Sequence, residues 1–287
     1  MRRATTARTK QSDAVLRRAF QTMGFEVIPF RRTEEEVVAT IPHDVRLTVT
    51  ASPAKGQDAT VDLAARLTAR GYTAAPHLSA ALVRDRAHLQ AVVDRCRDAG
   101  ITEVFVVGGD RDGEPTTFGD ALALLRALHE LDHGFTEIGI GGHPEGHPSA
   151  DDEVLMQAMA DKAPLATSIT TQIVFDPARI LEWSRDLARR GITLPVHVGV
   201  PGAVTRSKLV RVSGNLGIGA SATFLTKQQG MFWRFFRPGG YNPDPIIRGL
   251  LPHLGRPDNH LEGFHVFTFN DLGPTEEWRT ATLRRTA

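Results

Sequence analysis

The chain has 287 residues, 41% of them hydrophobic, and its 34 basic and 33 acidic side chains leave a net charge of +1. That apolar content fills a substantial core, while the near-balance of charge excludes the broad basic field that nucleic acid requires. A single cysteine, Cys96, excludes an internal disulfide framework, and no apolar run is long enough to span a bilayer.

The opening MRRATTARTK is basic, lacks acids and is followed by no apolar signal core. Residues 1–10 are therefore expected to form a disordered tail, followed by one domain over 11–287. A cytoplasmic protein without a membrane, nucleic-acid or obligate protein partner is the expectation. A helix at about 11–23 comes first. Short β-rich runs then recur: GFEVIPF (24–30), RLTVTA (46–51), YTAAPHLSA (72–80), EVFVVGG (103–109), EIGIGG (137–142), SITTQIVF (168–175), LPVHVGV (194–200) and FHVFTFN (264–270). Between them lie amphipathic patterns such as DRAHLQAVVDRCRDAG and DPARILEWSRDLARRG, several ending at a glycine suited to a left-handed cap. Eight strands, each followed by helical sequence, predict an α/β fold, a closed (β/α)8 TIM barrel. The added N-terminal helix should cover its bottom, and a helical insertion precedes the last strand. No G-x-G-x-x-G loop follows the first strand, which argues against a doubly wound dinucleotide fold.

In such a barrel chemistry belongs at the C-terminal ends of the strands. Polar residues collect there: Glu26, Thr50, His77, Asp110, His143, His147, Gln172 and Asn270. The run IGIGGHPEGHP holds two histidines four apart, a spacing shared with helical zinc motifs. Pro144 and Pro148 disfavour helix at His143 and His147, and Cys96 lies far off in the chain, so no metal is expected. The run instead predicts a wall of a central cleft.

Taken in order, FEVIPFR, APHLSA, FVVGGDRDG, HPEGHP, ITTQIVFD, VGVPGAV and VFTFN resemble the strand motifs of methylenetetrahydrofolate reductase, a flavin-dependent barrel. The resemblance spans the whole barrel. It implies reduction of 5,10-methylenetetrahydrofolate to the 5-methyl form with NADH or NADPH. Glu26 corresponds to the family's general acid, which protonates nitrogen 10; burial in an apolar wall favours the proton-bearing form of a carboxyl. Asp110 and Gln172 correspond to the residues that bind the pterin, with Asp110 also close to the chemistry. Thr50, His77, His147 and Lys162 correspond to positions that hold the flavin, with His143 and the backbone at Gly109 as further phosphate contacts.

Departures from the family pattern cluster on the flavin. An arginine is replaced by Gly108, a tyrosine–alanine pair by Phe118 and Gly119, and a tyrosine by His143. Counting back from Lys162, an aspartate, an asparagine and an arginine become Leu155, Ala158 and Asp161. Asp161 is expected to turn a carboxylate toward a diphosphate, so FAD is expected to be weakly bound or absent and hydride to pass directly from NADH. The alternatives are an ordinary FAD-dependent reductase and a non-catalytic folate-binding or regulatory barrel. The stretch 221–254, rich in aromatics, could cover the active site or form part of the barrel's covering core.

Overall fold

In the computed structural model, eight parallel strands close into one barrel in the order β1 to β8. The structure describes residues 2–109, 116–147, 150–204 and 242–286, with side chains from residue 12 onward. The strands are β1 (Gly24–Val27), β2 (Leu47–Val49), β3 (Ala74–Ser79), β4 (Glu103–Val107), β5 (Glu137–Gly142), β6 (Ser168–Ile173), β7 (Val196–Pro201) and β8 (Leu261–Phe267). The expected (β/α)8 architecture is the one observed.

Helices follow the strands for local reasons. The main ones are α1 (Arg2–Gln21), α2 (Thr33–Thr40), α3 (Gly56–Ala69), α4 (Arg86–Asp98), α5 (Ala121–His129), α6 (Asp152–Lys162), α7 (Pro177–Arg189), α8 (Asp244–Leu250) and α9 (Leu272–Arg285). Asp85, Asp120 and Asp176 accept a backbone N–H at the starts of α4, α5 and α7, satisfying one of the donors that every helix start leaves open. Gly71, Gly100 and Gly191 follow α3, α4 and α7 with φ of 92°, 71° and 79°, the left-handed exit their sequence positions predict.

Strand alternation sorts the side chains. Phe25, Val27, Leu47, Val49, Val104 and Val106 face the helices and are almost fully buried, while the residues between them face the barrel axis. The polar lumen therefore follows from the period-two pattern.

The departures from the sequence reading have identifiable causes. β8 begins at Leu261, three residues before the expected start, because Leu261 and Gly263 pair with Val196 and His197 across an irregularity in β7. It stops before the expected end because Phe269 and Asn270 take φ of 50° and 55°, which no strand accommodates. α1 begins at Arg2, so helical backbone reaches into the stretch read as a tail. Its C-terminal end packs against α9: Phe20 lies on Trp278 at 4.8 Å between ring centroids, and Arg279 donates to Phe20 O. Of the stretch 221–254, residues 221–241 lie outside the described residues. α8 bridges its neighbours, with Gly249 against Pro177 of α7 and Asp244 Oδ1 accepting from Trp278 Nε1 at 2.8 Å.

Candidate active site

Glu26 occupies the middle of β1, one step from the end of a four-residue strand, with its side chain in the barrel lumen. Two imidazoles flank it. His77 Nε2 of β3 is 3.8 Å and His265 Nε2 of β8 is 3.7 Å from Glu26 Oε2, and all three side chains are at most 15% exposed. The apolar wall expected around this carboxyl is thus replaced by a histidine on either side. Burial pushes the His77 imidazole down to about 4, with the neighbouring Glu26 pulling the other way. His77 is therefore a neutral ring at pH 7, tilted against Phe105 at 4.7 Å. His265 Nε2 also meets Thr48 Oγ1 at 3.3 Å.

The frame around Glu26 is pinned by side chains that bond backbone. Asn270 Oδ1 accepts from Ile28 N at 2.8 Å, and its Nδ2 donates to Ile28 O and Thr33 Oγ1, both at 2.9 Å. Thr268 donates to Glu26 O. Asn270, singled out as a rim residue, thus ties the end of β8 to the exit of β1. Gln57 does the same for β3, donating to His77 O at 2.7 Å and accepting from Ser79 N at 2.9 Å. These bonds saturate both faces of a buried amide, so it holds one geometry.

The run HPEGHP forms one wall of the mouth. Glu145 Oε1 accepts from Phe175 N and Asp176 N at 2.7 and 3.0 Å, so it fastens the β5–α6 connection to the start of α7. The His143 and His147 rings meet edge to face at 5.0 Å. Burial pushes His143 down to about 4, and His147 and Lys162 add to the shift. Lys162 is drawn below its ordinary range by burial, with Asp120 pulling it back. Asp120 is also the cap of α5. His143, His147, Lys162 and Asp120 thus form one cluster beside the mouth, with the Lys162 ammonium facing the Asp120 carboxylate.

Asp161 is not part of it. Its carboxylate is exposed and accepts from Gln157 along α6 at 2.8 Å, the ordinary pairing of residues four apart. The expectation that it points toward a diphosphate is corrected accordingly. Leu155 borders a cavity between α6 and α7 together with Trp183 and Arg179, and Ala158 is exposed. Phe118 is buried in the core. At Gly109, φ is 79° and a Cβ would lie 2.2 Å from Ser79 Oγ, so only glycine fits. Gly108 has room for a side chain, its nearest neighbour being 4.0 Å away. Thr50 follows β2 at the rim, tied through its backbone to Val27 and Thr60. Asp110 lies outside the described residues.

Gln172 is exposed on β6, within the irregularity in register between Thr170 and Ile173. Thr171 Oγ1 accepts from Gly199 N at 2.8 Å, and a Cβ on Gly199 would fall 2.3 Å from Thr171 O. The irregularity is thus accommodated by a glycine on the facing strand.

His197 and His265 were not picked out in the sequence. The signal was available: Gly263, His265 and Phe267 alternate along β8, and the same alternation puts His197 inward on β7. Both line a cavity of about 90 Å³ at the N-terminal ends of the strands. Burial pushes His197 down to about 4.

Among solved structures, the C-terminal domain of a candidate chitinase from Desulfitobacterium hafniense DCB-2 is similar at 11% identity and a TM-score of 0.51, covering 93% of this chain and 99% of that one. A 2,3-dimethylmalate lyase of the PEP mutase/isocitrate lyase superfamily is similar at 7% identity and a TM-score of 0.50, covering 96% of this chain and 82% of that one. Such likeness speaks to the fold alone. The model of the methylenetetrahydrofolate reductase family matches residues 27–213, starting one residue after Glu26 and running through β7. That match takes in more than half of the chain, and on it the chain belongs to the methylenetetrahydrofolate reductase family.

Proposed function

We propose that this chain reduces 5,10-methylenetetrahydrofolate to the 5-methyl form, with Glu26 as the general acid and hydride passing directly from NADH. The observation that carries the reading is Glu26 in the lumen with imidazoles on both sides, inside a barrel of this family. Protonation of nitrogen 10 by Glu26 breaks its bond to the bridging carbon and leaves a methylene iminium on nitrogen 5. Hydride from carbon 4 of the dihydronicotinamide then adds to that carbon, giving the methyl group and NAD⁺. Gln172, on the rim, and Asp110 are the proposed pterin partners, a flat donor–acceptor ring being suited to an amide and a carboxylate. Packing both substrates in one cleft supplies rate through proximity.

The residues present do not fit the flavin of the family. A dinucleotide diphosphate calls for charge-assisted donors. The positions that would supply them carry Gly108, Phe118, Leu155, Ala158 and Asp161. Phe118 is packed in the core, Leu155 borders the α6–α7 cavity, and Asp161 is paired with Gln157. Lys162 faces Asp120, and His143 is a neutral ring. Hydride therefore reaches the folate without FAD.

The experiment is NADH oxidation at saturating methylenetetrahydrofolate. Wild type is expected to oxidise NADH only when the folate is present. Glu26→Gln keeps the shape and removes the proton, and should lower turnover by about 10²- to 10⁴-fold while folate still binds. Wild-type turnover in the variant would remove Glu26 from the chemistry. Folate binding without NADH oxidation by the wild type would favour a non-catalytic barrel.

A further inference from the structure

Each turnover of the proposed reaction consumes one proton, so Glu26 must be recharged from solvent between turnovers. The cavity of about 90 Å³ lies at the opposite end of the barrel, among the first residues of the strands. Its lining includes Gly24, Thr48, Glu103, Glu137, His197 and His265. A space of that size accepts several water molecules, and its walls offer the polar partners that water needs.

His265 joins this cavity to Glu26. Its Nε2 is 3.7 Å from Glu26 Oε2, so a movement of about 1 Å brings the two to hydrogen-bond distance. Its Nδ1 lies beside Gly24, where an added Cβ would come within 3.2 Å of it. One ring nitrogen thus faces the acid and the other faces the cavity wall. The outer end of the cavity carries Arg46, half-exposed and paired with Glu103 at 2.5 Å, and Glu137, which accepts from Thr167 Oγ1 at 2.9 Å. Among the described residues, the remaining ionisable groups against His265 and Glu26 are His77 and His197.

We propose that His265 and the cavity beneath it form a proton relay that recharges Glu26 from the N-terminal face of the barrel. The proposal rests on the reductase reading above. After Glu26 has given its proton to nitrogen 10, His265 donates Nε2–H to the carboxylate and takes a proton at Nδ1 from a cavity water. A half-turn of the ring then exchanges its two nitrogens, so that the N–H faces the acid again and the next proton enters from the cavity side. The charge of the cavity is restored through water at the Arg46–Glu103 end. Burial drives His77 and His197 down to about 4, which leaves them neutral at pH 7 and His265 as the histidine spanning acid and cavity.

The test is rapid-mixing kinetics of NADH oxidation with His265→Gln, which keeps a polar side chain of similar length but cannot pass a proton. On this relay, only turnovers after the first draw a proton through His265. A burst of one NADH per active site at the wild-type rate is expected, followed by steady turnover slowed by about tenfold or more, with KM for folate within about twofold. In His265→Ala, added imidazole should restore the steady rate. A merely structural role would slow the burst as well and would not respond to imidazole. Steady turnover equal to wild type in His265→Gln, or a slowed burst without imidazole rescue in His265→Ala, overturns the relay and leaves the reductase reading standing. Failure of wild type to oxidise NADH with the folate overturns both.

Discussion

His77, His143 and His197 are all pushed down to about 4 by burial, and the consequence is a stability that depends on acid. An unfolded histidine titrates near 6.5. Between about pH 6.5 and 4 the unfolded chain binds protons that the folded barrel refuses, so stability falls as pH drops through that window; above it these groups contribute no slope. Each histidine adds at most about 1.4 kcal/mol per pH unit within the window. Urea midpoints at pH 7 and pH 5 should differ accordingly, and His197→Gln should shrink the difference. An undiminished difference in that variant would mean His197 is not held neutral in the folded state. At this scale much of the site was legible in the sequence. Glu26 and His77 are set inward by strand alternation, and their polar character inside apolar runs marks them. His265 was not singled out, although the same alternation carries it. What sequence could not supply was the partner set: that Glu26 lies between two imidazoles depends on β1, β3 and β8 meeting across the lumen. Asp161 shows the opposite failure, since counting along a helix gave its position but not its bond to Gln157.

The strands and helices were legible where local chemistry fixes them, and illegible where a distant residue does. Aspartate caps and glycine exits mark α4 and α7 at both ends. The end of β8 is set instead by Asn270, whose amide satisfies the backbone of Ile28 across the barrel seam while its own φ is 55°. Asn270→Ala leaves the Ile28 N–H and C=O without that partner and asks alanine to hold a left-handed backbone. A loss of about 3 kcal/mol in folding free energy is expected, since each buried unsatisfied group costs about 1–3 kcal/mol. Turnover should fall with it, because the same clamp fixes the strand that carries Glu26. Chemical denaturation checks the first effect; a change below about 1 kcal/mol would show that the seam does not depend on this amide. The irregularity in β6 was not legible, because what accommodates it lies on β7, at Gly199, where an added Cβ would fall 2.3 Å from Thr171 O and 2.8 Å from the Phe267 ring.

For the whole molecule, the (β/α)8 order was legible from the alternation of two periodicities, and the family from motifs spread along it. The barrel places an acid at mid-height between the mouth and a cavity with polar lining below. The central claim is that hydride travels from NADH to the folate carbon with no flavin between them. The most direct measurement uses NADH carrying deuterium at the transferred position of carbon 4 and follows the label by mass spectrometry of the 5-methyl product. Direct transfer retains carbon-bound deuterium, so the account predicts one deuterium per methyl group, at a yield unaffected by added FAD. Passage through a flavin places the label on a nitrogen, where it exchanges with water. Product formed without deuterium, and formed only when FAD is supplied, would contradict the account.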